Sequence, residues 1–277
     1  MSDFSIFANH AHLFPKGAKE NAGKDAHLRL MDECEIEKAV CFAPFSEQAA
    51  RAGLMCNANR WLQSEIKNEK SLLGFGTVDF EKGQLKEQVT EIKELGFYGI
   101  KIHPAFQGVK VDSKELFEVY SQAEKENLFI SFHTGLHWHR IRDYEMLLFD
   151  EVAWHFPKLK FSLEHVGGYS FFKEALLVMN NNSRNDEGGA VYAGLTSVNM
   201  ETDMFSNVRS GAWSLTDDEI CTLIHQTGEK RAIFGLDFPY KNAEYTKTAI
   251  ERIKNLPISD NAKRGILGDN LKEALGL

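Results

Sequence analysis

FSIFANHAHLFP (residues 4–15) is the stretch on which the reading of the fold turns. Phe4 to Phe7 is a short apolar run that reads as a first strand. It gives way to Asn9 and then to two histidines, His10 and His12, one residue apart. In an extended chain residues i and i+2 share a face, so both imidazoles can close on one ion. An absence is equally informative. No G-x-G-x-x-G or Walker loop succeeds this run, where a nucleotide-binding open sheet usually carries one. The pair alone is a weak signal, because 10 histidines in 277 residues give about 0.4 His-x-His pairs by chance. His137-Trp138-His139 is a second such pair with no evident meaning.

Working outward, similar β-rich runs recur at Ala39 to Phe42, Leu72 to Phe75, Gly99 to Ile102, Phe129 to Phe132, Lys160 to Leu163, Val191 to Leu195 and Ala232 to Phe234. Helical periodicity lies between them, as in Leu85, Val89, Ile92 and Leu95, and in Leu116, Val119, Tyr120 and Ala123. Alternating strand and helix requires a parallel sheet, and eight such units in a chain this long fit a closed (β/α)8 TIM barrel, one domain over residues 1–277. An open doubly wound sheet is the alternative. Stop signals agree with the units: Gly96 follows one helix, Pro157 precedes the sixth strand, and Ser113 and Thr216 stand where N-caps belong.

Composition narrows the chemistry. With 43% hydrophobic and 26% charged residues the chain can bury a large core. A formal charge of -8 and no run of Lys or Arg argue against nucleic acid or an anionic membrane as partner and for a small molecule. Cys34, Cys41, Cys56 and Cys221 form no C-x-x-C pair, and the N-terminus lacks a basic and apolar leader pattern, which together predict a reduced, cytoplasmic setting. No apolar stretch reaches the length of a membrane span, and the Asn180 to Asn185 cluster is too short for a disordered linker. A homodimer is the default expectation at this size.

In a barrel of this kind chemistry sits at the C-terminal ends of the strands. Strand 1 ends in His10 and His12, strand 4 in Lys101 and His103, strand 5 in His133, strand 6 in Glu164 and His165, and strand 8 in Asp237. His27, His155 and His225 fall in helical patterns and read as packing or surface residues. A lone buried histidine is more often a hydrogen-bonded core residue than a ligand. Several polar groups converging at one end are costly to desolvate unless they share a metal or one hydrogen-bonded network, so His10, His12, His133 and Asp237 together read as metal ligands. Lys101 has three open readings: a structural ion pair, an anion-binding group, or a carboxylated amine bridging two metals.

The segments NHAHLFP (9–15), ANRWL (58–62), LLGFGTVDF (72–80), GFYGIKIHPAFQG (96–108), FISFHTG (129–135), FPKLKFSLEHVGG (156–168), FGLDFPY (234–240) and ILGDNLKEALGL (266–277), in this order, make the chain resemble the amidohydrolase superfamily. Within it, the resemblance is to the small barrels that include the predicted metal-dependent hydrolases and the aminocarboxymuconate-semialdehyde and resorcylate decarboxylases. It implies metal ligation by His10, His12, His133 and Asp237, and a catalytic acid, base or ligand at His165. Two departures stand out. Ala8 occupies a position that is acidic in many relatives, which removes a supporting partner for the ligands. His133 is followed by Thr134-Gly135 rather than the Pro-Trp frequent in the decarboxylases, which favours the hydrolase side.

Three imidazoles and a carboxylate leave room for water on one divalent ion, zinc first, with manganese, iron or cobalt as alternatives. Asp237 is then the proton acceptor and His165 the acid or oxyanion stabiliser. Lys101, His103, His137, His139, Arg140 and Arg142 are the substrate-binding candidates, with the three cations able to hold a carboxylate. The long segment Asn199 to Trp213 has the length of a lid. The expected activity is hydrolysis of an amide, ester or lactone of a small organic acid. A nonoxidative decarboxylase or hydratase on the same metal is the alternative, and a non-catalytic ligand-binding barrel a third reading.

Overall fold

The computed structural model describes residues 4–183, 190–198 and 213–277. Eight strands run β1 Phe7–His12, β2 Lys38–Phe42, β3 Leu72–Thr77, β4 Gly99–Ile102, β5 Phe129–His133, β6 Phe161–Glu164, β7 Val191–Thr196 and β8 Ala232–Phe238. They hydrogen-bond in chain order into a closed barrel whose pairs are all parallel, β1 sealing against β8. This is the TIM barrel that the alternation predicts. Among the described residues no helix is long and apolar enough to cross a membrane.

The helices form where the expected signals stand. Lys114–Glu126 starts at Ser113, whose hydroxyl accepts from the Leu116 N–H, and it buries Leu116, Val119, Tyr120 and Ala123 against the barrel. Asp217–Thr227 opens with a capping box between Thr216 and Glu219. Leu85–Glu94 buries Leu85, Val89 and Ile92 and gives way to Gly96, whose φ of 78° ends the helical path.

Strand alternation divides the barrel into two cores. Ala39, Cys41, Ile130, Phe132, Phe161 and Leu163 face the helices, whereas Phe7, Val40, Phe42, Leu73, Phe75, Phe129, Tyr192 and Ile233 form a second cluster, joined by Leu271 and Ala274 of the last helix, Asn270–Leu275. Burying each Val, Leu, Ile or Phe among them contributes about 1.5–3 kcal/mol. Above this apolar floor the positions in the same alternation carry Asn9, Lys101, Ser131, His133, Ser162, Glu164, Thr196 and Asp237, all buried. The barrel is thus filled by hydrocarbon at one end and by polar groups at the other.

Strand boundaries shift accordingly. β1 does not run from Phe4 to Phe7 but from Phe7 to His12, and β8 continues past Phe234 to Phe238. Apolar patterning sees only the part of a strand that faces the core, while the ladder continues through residues that face the site. Both strands are irregular there. Their register slips between Asn9 and Ala11, with His10 at φ 67° and Asp237 at φ 57°. The simple i, i+2 argument for His10 and His12 therefore needs correction, since the strand is not regular between them.

Candidate metal centre and cavity

Left-handed backbone costs about 1–3 kcal/mol at a non-glycine residue and persists only where surrounding contacts hold it. Here it clusters at the strand ends: His10, His165, Val166, Ser197 and Asp237 all have positive φ.

Glu164 organises the floor of the site. It is fully buried, and its Oε1 accepts from Asn9 Nδ2 at 2.7 Å, from Ser131 Oγ at 3.2 Å and from Ser162 Oγ. Its Oε2 accepts from Thr196 Oγ1 at 2.6 Å and from His10 Nδ1 at 2.9 Å. Five donors from β1, β5, β6 and β7 satisfy a carboxylate that would otherwise be expensive to bury. Space for it exists because Gly194 has no side chain: a Cβ there would stand 2.3 Å from Glu164 Oε2. Glu164 supplies the support that Ala8 does not.

A carboxylate can only accept, so the proton of His10 sits on Nδ1 and its Nε2 carries the lone pair, facing Asp237 and Lys101. That Nε2 lies 3.6 Å from Asp237 Oδ1, and His12 Nε2 lies 3.9 Å from the same oxygen. One donor atom from each of His10, His12 and Asp237 falls within 4.8 Å of the others. Burial pushes both imidazoles well below their usual range, keeping them neutral as ligands must be. Burial raises the Asp237 carboxyl, against the opposing hydrogen bond that Ser197 Oγ donates to Oδ2 at 2.7 Å. Lys101, also buried, is pulled down to about 8 by desolvation, and its Nζ lies 3.3 Å from His10 Nε2.

His133 stands beside this group rather than in it. Its Nε2 lies 2.8 Å from the Gly135 carbonyl and its Nδ1 3.2 Å from His165 Nε2, while His165 Nδ1 lies 2.8 Å from the Thr196 carbonyl. Both carbonyls demand N–H donors, so pairing all three contacts needs three protons on four nitrogens. Burial depresses both rings and opposes the third proton. A cation on His133 Nε2 in place of Gly135 removes the conflict: the single remaining proton on Nδ1 then serves His165. The donor set thus fits a divalent ion that His10, His12 and Asp237 would hold, with His133, expected as the fourth ligand, standing next to that cluster on the Gly135 carbonyl.

Beside the ligands lies a cavity of about 550 Å³, with His12, Asp237, Ser197, His103, His133 and His137 on its polar walls. Phe45, Phe106, Trp138, Trp213 and Tyr240 provide aromatic walls, and Lys241 is its lining cation. Trp213 donates its indole N–H to the Leu136 carbonyl at 2.8 Å and lies 4.2 Å from the His165 ring. His139 joins from the side, 5.5 Å from the His103 ring. Arg140 and Arg142 are not brought here: they are 71% and 66% exposed and face Asp143 at 3.5 and 3.9 Å. Residues 199–212, the expected lid, lie outside the described residues. The roles of Glu164, Ser197, Tyr240 and Lys241 escaped sequence reading, although Tyr240 and Lys241 directly succeed the Asp237 segment that did stand out.

A family profile described as amidohydrolase matches residues 9–277. A 2-amino-3-carboxymuconate-6-semialdehyde decarboxylase of Dictyostelium discoideum is 26% identical over an alignment covering 76% of this chain. The chain spans 63% of the length of that relative. An uncharacterised TIM-barrel protein of Bordetella bronchiseptica superposes with a TM-score of 0.75 at 17% identity, covering 98% of both chains. A candidate 2-pyrone-4,6-dicarboxylic acid hydrolase of Pseudomonas putida superposes with a TM-score of 0.69 at 15% identity, covering 99% of this chain and 98% of its own. At these identities the two structures speak to the fold.

Proposed function

The chain belongs to the amidohydrolase family, and from that premise we propose that it is a metal-dependent hydrolase cleaving an amide, ester or lactone bond of a small organic acid. The observation that carries this reading is the placement of Asp237. One of its oxygens approaches both His10 and His12, and the other is held by Ser197. A divalent ion at these residues, zinc in the first instance, supplies Lewis-acid activation of water and of the scissile carbonyl.

The chain's own groups do the rest. Asp237, made more basic by burial, accepts the proton of the attacking water. His165 donates from Nδ1 to the Thr196 carbonyl and accepts at Nε2 from His133, so it acts through the His133 ring that it orients, while the proton taken by Asp237 is returned to the leaving group. The aromatic walls suit a flat organic acid. Lys241 places a cation on the cavity wall for its carboxylate, while Lys101 is buried beside His10. Its partner is accordingly a small molecule rather than nucleic acid or membrane.

A second reading, nonoxidative decarboxylation, is favoured by the decarboxylase relative. Product analysis divides the two. Zinc-loaded protein is incubated in isotopically labelled water with aryl esters, lactones, and aromatic and unsaturated carboxylic acids. Hydrolysis puts label into the organic acid product without carbon dioxide; carbon dioxide release with no labelled oxygen in the organic product overturns the hydrolase assignment.

A further inference from the structure

One cavity-lining imidazole carries a proton with no acceptor. His103 comes directly after β4 and caps the short helix Pro104–Gln107: its backbone N–H donates to Gln107 Oε1 at 2.8 Å, and its ring Nδ1 accepts from the Phe106 N–H at 3.3 Å. Because Nδ1 accepts, the ring proton of the neutral imidazole is on Nε2. Nε2 is buried and meets no hydrogen-bond partner among the described residues. The residue is 8% exposed, and it lines the cavity that also holds His12 and Asp237. Its plane is fixed by stacking on His133, with centroids 3.9 Å apart and 14° between rings.

We propose that His103 is a specificity-determining residue whose Nε2–H donates to a carboxylate oxygen of the substrate. This rests on the hydrolase reading above and adds to it the group that reads the far end of the acid. A donor buried without an acceptor is costly, and one on a residue that lines a ligand cavity can be completed by the ligand. An anionic acceptor is favoured over a neutral carbonyl, because hydrogen bonds to an ionised acceptor are about twice as strong as neutral ones. Lys241 adds positive charge to the same wall, and Asp237 is the lone acidic residue among the described lining. His103, His137 and His139 place ligand atoms within 4.8 Å of one another and by spacing alone would pass for a second metal site. The tautomer argues otherwise: a nitrogen bearing a proton has no lone pair for a metal.

The test compares isophthalate with 3-carbamoylbenzoate, in which one carboxylate becomes a neutral amide, by calorimetric titration of the zinc-loaded protein. Wild type is expected to bind isophthalate about tenfold more tightly. His103→Asn retains a capping oxygen for the Phe106 N–H but does not extend an N–H into the cavity, and His103→Phe retains the stacking. Both variants are expected to bind the two probes equally, with zinc content unchanged. A preference that survives in both variants overturns the proposal. So does a second equivalent of zinc in wild type that both variants lose, which would make His103 a metal ligand. Failure of the hydrolase reading appears separately, as carbon dioxide rather than labelled acid among the products, and leaves this ratio of affinities intact.

Discussion

Glu164 shows how a residue's neighbours, rather than its type, assign its work. At the end of a strand a glutamate can ligate a metal, act as an acid or brace a ligand. Here its oxygens are taken by Asn9, Ser131, Ser162, Thr196 and His10, so it braces. We expect Glu164→Gln to weaken zinc binding by roughly 10–100-fold, the usual effect of removing such a partner. Zinc titration calorimetry checks this, with far-UV circular dichroism reporting the fold; an unchanged affinity would mean that His10 holds its tautomer without the carboxylate. The two arginines illustrate the converse. Their charge suggested a carboxylate clamp, but Arg140 and Arg142 extend into solvent beside Asp143.

At the scale of elements, the helix Lys24–Glu33 carries His27, which helical patterning reads as a packing residue and which is fully buried, 4.8 Å from the Phe238 ring at the end of β8. Neither ring nitrogen has a hydrogen-bond partner among the described residues. Burial lowers its pKa to about 4 from the ordinary 6.5. Because the folded value is depressed, the stability tied to the neutral ring is complete above about 6.5 and is lost as pH falls toward 4. Between pH 7 and pH 5 wild type should therefore lose about 2 kcal/mol more than His27→Leu. Urea unfolding of both proteins at the two pH values measures the difference, and parallel losses would show that His27 is solvated or paired in solution. β1 teaches a related lesson. The apolar run Phe4 to Phe7 shares only Phe7 with the strand, because hydrophobic periodicity reports core burial while the ladder extends to His12.

For the whole molecule, the candidate ligands join the two strands that seal the barrel, His10 and His12 on β1 and Asp237 on β8. An ion bound there favours the folded state by mass action. At free zinc about 100-fold above Kd the gain is about 2.7 kcal/mol. Calorimetric melting should show this as a higher Tm for zinc-loaded protein than for chelator-treated protein, and His10→Ala should lose most of the difference. A melting point indifferent to zinc in wild type would sink the metal site. By itself the sequence determined the eightfold alternation, the helix caps and which histidines end strands, because burial, capping and turn formation depend on residue type at short range. It also carried His10, His12, His133 and Asp237 as a group, since a shared position at strand ends is a property of order along the chain. Only the tertiary structure decided that His103 is locked as a donor, that Glu164 rather than a residue near Ala8 braces His10, and that Arg140 and Arg142 point away. Tautomers and side-chain directions are set by atoms from strands far apart in sequence, and no local pattern encodes which carbonyl, carboxylate or N–H a given ring will meet.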